Sequence, residues 1–183
     1  MVSIFLIPGT SMIKPVRAGR CFAWLCLALL VPGCRPTGGP GAANQGNDLD
    51  SMERARIMLA GHAVDVWVAR TSEEQRLGLM FVQQEQLAPL EDGTERGMLF
   101  VFEHERQLGF WMANTIIPLD IAYAKTDGTI VKTHTMVPLD LRNYPSGAPS
   151  RMALELSAGL LAQLGVKAGD RIELPAGFLD PRP

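Results

Sequence analysis

The stretch that decides the fold is PLDIAYAKTDGTIVKTHTMV, residues 118–137. Two runs rich in β-formers flank Asp127-Gly128, a dipeptide that signals a type I′ hairpin between strands. With Asp127 and Gly128 as a two-residue turn, Thr126 faces Thr129, Asp120 faces Thr135, and Ala122 faces Thr133. On the other side of the ribbon Ile121 faces His134 and Tyr123 faces Lys132. Asp120 and His134 therefore point to opposite faces, and this hairpin makes no Asp-His couple unless a bulge shifts the register.

Working outward, the same grammar of short strands recurs. RIML and AVDVWVAR straddle Gly61-His62, and Val64, Val66 and Val68 alternate with Asp65, Trp67 and Ala69 at the period of a half-buried strand. TSEEQRLGLMF opens with Thr71 or Ser72 and a Glu three residues on, a capping box that predicts a short helix. QLAPLEDGTERG reads as loop. GMLFVF (97–102) and QLGFWM (107–112) read as two strands joined by the charged turn EHER, and SRMALEL as a further strand. SAGLLAQLG reads as a short helix closed by Gly165, and VKAGDRIEL turns at Ala168-Gly169-Asp170 into a last strand. The expected fold is mainly β (α+β): a single small barrel-like domain of seven or eight short strands with two short helices.

The N-terminus reads as an address. Lys14, Arg17 and Arg20 precede the apolar run CFAWLCLALLV, which is short of the ~20 residues of a spanning helix and has the layout of a secretory signal. The charge layout points to Met12 as the true start. VPGC resembles the bacterial lipobox, so residues 1–33 are expected to be a signal peptide and Cys34 the lipidated first residue of the mature chain. Residues 34–54, rich in Pro, Gly, Asn and Gln, are expected to be a flexible tether, and residues 55–183 the β-rich domain. Without residues 1–33 the chain carries 14 basic against 19 acidic residues, a net of −5. The expected setting is the bacterial cell envelope, with the membrane held through the anchor and the domain facing the periplasm or exterior. No cysteine follows Cys34, which excludes thiolate and disulfide chemistry from the domain. No basic stripe predicts a nucleic-acid partner.

Several phrases in order carry a resemblance: TSEEQRLGLMF, GMLFVF, FWMANTIIPLDIAY, DGTIVKTHTMVPLD, YPS and ALELSAGLLAQLGVKAGDRI. Across residues 57–174 the chain resembles the bacterial and archaeal family known as domain of unknown function 192. Ala113 stands where the family's phrase FWMKNT carries a lysine. The resemblance implies a compact β-rich fold, often exported, and brings no reaction, substrate or cofactor.

Candidate chemistry centres on FWMANTIIPLD, residues 110–120. Asn114 and Thr115 suit a turn between strands. Equally, Trp111 suits an apolar platform with Asn114, Thr115 and Asp120 as convergent polar groups in a cleft. Tyr144, in NYPS, either stacks on a ligand or pins its loop. Glu155 interrupts the apolar strand ALEL. Three functions follow. The leading one is non-catalytic binding of a small polar ligand or envelope component at Trp111, Asn114, Thr115, Asp120, Tyr144 and Glu155, with no cofactor and no metal. The second is a hydrolase or transferase on an envelope polymer that pairs Asp120 with Glu155. The third is a periplasmic Cu(I)-binding module built from Met136 with Met80, Met98, Met112, Met152 and His134. His134 is otherwise a packed, hydrogen-bonded residue, and His62 and His104 fall in apparent turns. No nucleophile elbow, P-loop, dinucleotide fingerprint or His-Glu-x-x-His helix occurs.

Overall fold

A computed structural model describes residues 46–180. The expected signal peptide, Cys34 and the first part of the expected tether lie outside the described residues. In the central hairpin, β4 (Leu119–Ala124) and β5 (Ile130–Met136) pair antiparallel with Asp120 opposite Thr135, Ile121 opposite His134 and Tyr123 opposite Lys132, as read from the sequence. The turn is of another type. Gly128 N–H donates to the Lys125 carbonyl and Lys125 N–H to the Thr129 carbonyl, each at 3.0 Å. Of the turn residues only Gly128 has a positive φ, at 85°, whereas type I′ needs it at both central positions. The chain instead makes a three-residue turn ending in a left-handed glycine, and the Asp127 carboxylate accepts from the Thr129 N–H at 2.9 Å. This turn shifts the pairing by one residue, and a bulge at Tyr123/Ala124 shifts it back. Gly128 is required twice, because a Cβ there would also overlap the carbonyl oxygen of Ile172.

The opening hairpin joins β1 (Arg54–Leu59) to β2 (His62–Ala69). Its turn is Ala60-Gly61, one residue earlier than expected, and here both residues have positive φ, the type I′ condition. Helix α1 (Ser72–Leu77) starts at the predicted capping box: the Thr71 hydroxyl accepts from the Glu74 N–H at 3.2 Å, and the Glu74 carboxylate accepts from the Thr71 N–H at 2.8 Å. The following segment, expected to be loop, contains a 3-10 turn over Gln84–Leu87 that buries Leu87. Because β3 (Glu95–Phe110) pairs parallel to β2, this whole segment is the crossover that a parallel pair requires.

GMLFVF and QLGFWM are not two strands around a turn. Residues 95–110 form one 16-residue strand, paired antiparallel to β6 (Tyr144–Ser157), with register shifts between Val101 and Arg106 and again before Gly109. EHER holds none of the Gly, Pro, Asn or Asp residues that reverse a chain. Since β6 begins at Tyr144, not Ser150, it continues as a partner beyond the irregularity. The charged residues of EHER sit on an exposed bulge that bends the strand.

The seven strands lie in the order β5-β4-β6-β3-β2-β1-β7, with β7 (Ile172–Glu173) at the far edge. The sheet curls until its edges meet. Thr129 bridges Arg171, Ile130 N–H donates to the Asp170 carbonyl at 2.8 Å, and Ile172 N–H to the Gly128 carbonyl at 2.9 Å. Two cores result. Inside the curl lie Val64, Val66, Val68, Leu99, Ala122, Leu154 and Leu156, closed by Leu160 and Leu161 of α2 (Leu160–Gln163). The opposite face carries Trp67, Met98, Phe100, Ile121, Tyr123 and Ala153, covered by Leu79, Val82 and Leu87 of the crossover and by Met112 and Ile117.

Residues 47–52, expected to lie in the tether, pack on the domain. Leu49 and Met52 are buried in the outer core, and the Asn47 amide donates to the carbonyls of Glu74 and Gly78, each at 2.9 Å. The low apolar content of the segment hides two well-placed anchors. The described residues belong to one compact unit. Shortening the chain from Pro40 to Ala55 is therefore expected to cost about 2–5 kcal/mol in urea unfolding, the magnitude of removing two buried aliphatic side chains. Equal midpoints for the two chains would show that residues 46–54 do not contribute to the core.

Candidate functional site

The bulge in β3 and the crossover helix frame a cleft of about 710 Å³, within the range of small-ligand sites. Its lining includes Ser72, Gln75 and Arg76 of α1, Met80, Phe102, Arg106, Gln107 and Phe110 of β3, and Trp111 and Asn114 beyond the strand. Phe110 is held edge-on by Phe100 at 4.8 Å and by Tyr123 at 5.8 Å between ring centroids, which fixes an aromatic floor. Trp111 stands at the rim, 58% exposed. The Arg106 guanidinium lies over the Phe102 ring at 4.8 Å and has no carboxylate partner among the described residues. Arg76 forms two hydrogen bonds with Glu73, at 2.9 and 2.6 Å, in full contact with solvent. The Gln75 amide is spent on backbone carbonyls, among them Val101 at 2.8 Å, so it holds the helix to the strand. No carboxylate, imidazole, thiol or amine lines this cleft.

The six residues singled out from the sequence are dispersed. Trp111 and Asn114 share the cleft. Asn114 adopts the left-handed region at φ 57°, and its amide points at the Met80 sulfur, 3.9 Å away. Thr115 is buried, its backbone N–H donating to the Met112 carbonyl at 3.1 Å and its carbonyl accepting from Leu139 at 3.0 Å. Tyr144 pins its loop: its hydroxyl donates to Asp140 at 2.7 Å, accepts from the Val137 N–H at 3.2 Å, and lies 3.3 Å from Arg142. Hydrogen bonds from Arg142, side chain and backbone, and from Tyr144 hold the Asp140 carboxyl well below the usual carboxylate range.

Asp120 and Glu155 do not form a pair. Asp120 is buried and accepts from the Thr135 hydroxyl at 2.7 Å and from the Leu161 N–H at 3.0 Å, so it ties both hairpin strands to the start of α2. Glu155 sits opposite Ile121 and Met98, which belong to the outer core. Residues 120 and 155 thus lie on opposite faces of the sheet, and the acid–base pair required for the hydrolase reading does not exist. Glu155 is 4% exposed, and burial pushes its carboxyl up to about 8. The Tyr123 hydroxyl, donating to the Tyr144 carbonyl at 2.6 Å, is raised above its usual range first by burial and then by the Glu155 charge.

His134 is half-buried, with Nε2 2.9 Å from the Pro145 carbonyl and its ring edge-on to Tyr123 and Tyr144. Met98, Met112 and Met136 lie in the outer core and Met152 in the inner one, so the methionines of the copper reading are divided between the two layers. Among the described residues no group of three His, Asp or Glu side chains is placed to hold a metal ion. Sequence reasoning missed Arg106 and Gln107, which line the cleft. With EHER taken as a tight turn they fall at its exit. The available signal was the absence of turn residues there.

The architecture is a curled seven-stranded β domain with a covered outer face and a lateral cleft. The profile of the family described as DUF192, "Uncharacterized ACR", matches residues 55–174, and the chain belongs to that family. No curated protein matches the chain. Two solved structures are similar. One is a candidate transcription regulator from Sinorhizobium meliloti 1021, 37% identical over 68% of this chain and 94% of its own, with a TM-score of 0.59. The other is a protein of unknown function from Novosphingobium aromaticivorans DSM 12444, 33% identical over 77% of this chain and 99% of its own, with a TM-score of 0.60.

The two buried carboxylates give opposite expectations. Asp120→Ala leaves the buried Leu161 N–H without its acceptor, and a loss of about 1–3 kcal/mol in thermal unfolding is expected from the unsatisfied donor. Glu155 titrates near 8 in the folded chain against an ordinary 4.5. Between these values the folded state keeps a proton that the unfolded chain has released, so the contribution of Glu155 to stability is fully present below about pH 4.5 and falls as pH rises toward 8. Glu155→Gln is expected to flatten that slope and to stabilise the domain at pH 9 by about 2–4 kcal/mol in urea unfolding. Parallel pH profiles for parent and variant would remove Glu155 as the cause.

Proposed function

We propose that this is an envelope lipoprotein, anchored through Cys34, whose domain binds a small anionic ligand without catalysis at the Trp111 cleft. The observation that carries the reading is the composition of the cleft wall. It offers guanidinium groups, amides, one hydroxyl and aromatic faces, with no side chain that exchanges a proton near neutral pH. General acid–base catalysis needs such a group, whereas recognition of a carboxylate or phosphate needs what is present: Arg106 with an uncommitted planar fork, beside the amides of Gln107 and Asn114. Trp111 supplies a flat apolar surface against which a ring can lie.

Intrinsic fluorescence titration tests the binding, with glucuronate and glycerol phosphate as probes and glucose as the neutral control. Saturable quenching by one of the acidic probes is expected. Because Arg106 is exposed and has no carboxylate partner among the described residues, Arg106→Ala should weaken that binding tenfold to a hundredfold, the range of a charge-assisted hydrogen bond, while losing only the Phe102 ring contact, about 0.5–1 kcal/mol of stability. Equal affinity for glucose, or for the Arg106→Ala protein, would remove the anion site. Palmitate labelling that persists in Cys34→Ser would remove the anchor.

A further inference from the structure

Five large apolar side chains are exposed among the described residues: Trp111, Ile116, Val137, Leu139 and Leu141, the last at 70%. All five fall on two loops, 111–118 between β3 and β4 and 137–143 between β5 and β6. The loops lie side by side. Met112 N–H donates to the Asp140 carbonyl at 2.8 Å, and Leu139 N–H donates to the Thr115 carbonyl at 3.0 Å. The only acid between the apolar residues, Asp140, is neutralised in place by Arg142 and Tyr144. Apolar patches of this sort mark contact surfaces.

We infer that these two loop crests dock on a lipid surface. The size of the patch and the position of the first described residues select this occupant. A stable dimer needs roughly 800 Å² and 20–30 residues from each partner. Five side chains on two loop tips fall short of that, whereas an interfacial contact with lipid needs only a few apolar groups, with tryptophan favoured at the headgroup level. The first described residues also lie at this end. Gly46 packs against the Met80 backbone, Asn47 is bonded to the last turn of α1, and Phe81 N–H donates to the Asn114 carbonyl at 2.9 Å. Eleven residues lie between Cys34 and Gly46, and the twelve steps from one to the other reach about 40 Å when fully extended. A lipid on Cys34, as in the reading above, would hold this end of the domain within reach of the bilayer and raise the local lipid concentration for the loops.

Leu139 makes the test clean. It holds φ at 60°, a conformation that asparagine tolerates and leucine does not favour, so Leu139→Asn removes apolar surface while relieving strain. The chain beginning at residue 34 with Cys34→Ser contains the whole compact unit and no acyl group. It is sedimented with vesicles of phosphatidylethanolamine and phosphatidylglycerol, with and without brominated acyl chains. Co-sedimentation is expected, with a blue shift and bromine quenching of Trp111 emission that Trp111→Phe abolishes, since Trp67 is buried. Leu139→Asn combined with Leu141→Ser should lower the partition coefficient at least tenfold, with an unchanged or higher melting temperature. Failure of the parent chain to bind vesicles, or equal partition of the double variant, overturns the inference. So does a concentration-dependent dimer that the double variant abolishes, which would assign the crests to a second copy. Glucuronate binding, read on the same double variant, reports the cleft, and palmitate labelling, read on the full-length chain with Cys34 intact, reports the anchor.

Discussion

The central strands β4, β6 and β3 are apolar on both faces, and a sheet of that kind must be covered twice. One face is covered by curling: the edges meet at Thr129 and Arg171, and Leu160 and Leu161 close the interior. The other face cannot use the sheet itself and takes the crossover between β2 and β3, with Leu79, Val82 and Leu87 pressed onto Phe100, Ile121 and Tyr123. The parallel pairing of β2 with β3 is consistent with that need, since a parallel pair requires a long segment between its two strands and that segment is the cover. The cleft is a by-product of this covering. Where β3 bends outward at its bulge, α1 no longer lies flat on the strand, and the gap between them exposes Arg106, Gln107 and the edge of Phe110.

Burial on both faces also dictates how polar residues are tolerated in the middle strands. Asp120 faces inward and is matched by two donors, one from β5 and one from α2, so its charge joins three elements of the inner core. Glu155 faces outward beneath the crossover and has no such pair of donors. Its environment favours the protonated form instead. Two carboxylates one residue apart in register thus sit in different chemical states, because a strand sends neighbouring positions to opposite layers.

The fold was legible in the sequence where a signal was local. The alternation of Val64, Val66 and Val68, the capping box at Thr71 and Glu74, and the facing of Ile121 with His134 all depend on residues close in the chain. The hairpin register was read correctly from an incorrect turn, because the bulge at Tyr123/Ala124 cancels the offset of the three-residue turn. What was not legible is non-local. The continuity of β3 through EHER depends on a partner strand about fifty residues later, and the burial of Leu49 and Met52 depends on the crossover they meet. The grouping of Asn114 and Trp111 with Arg106 needed the bend of β3, which no periodicity announces. The separation of Asp120 from Glu155 was in principle accessible, had β4 and β6 been recognised as neighbours.

Strain gives a last, independent reading of where this domain departs from the demands of stability. Four non-glycine residues among those described hold positive φ: Ala60, Phe81, Asn114 and Leu139. Ala60 serves a two-residue hairpin turn. The other three form a connected set, with Phe81 bonded to the backbone of Asn114 and Leu139 to that of Thr115. A left-handed phenylalanine or leucine costs on the order of 1–2 kcal/mol relative to glycine, and a sequence shaped by stability alone would carry glycine or asparagine at 81 and 139. Leu139 is also exposed, so its side chain repays little of that cost inside the fold. Strained backbone retained at one end of a well-packed domain points to demands from outside the fold, and this end is where the cleft rim, the apolar crests and the first described residues, Gly46 and Asn47, converge.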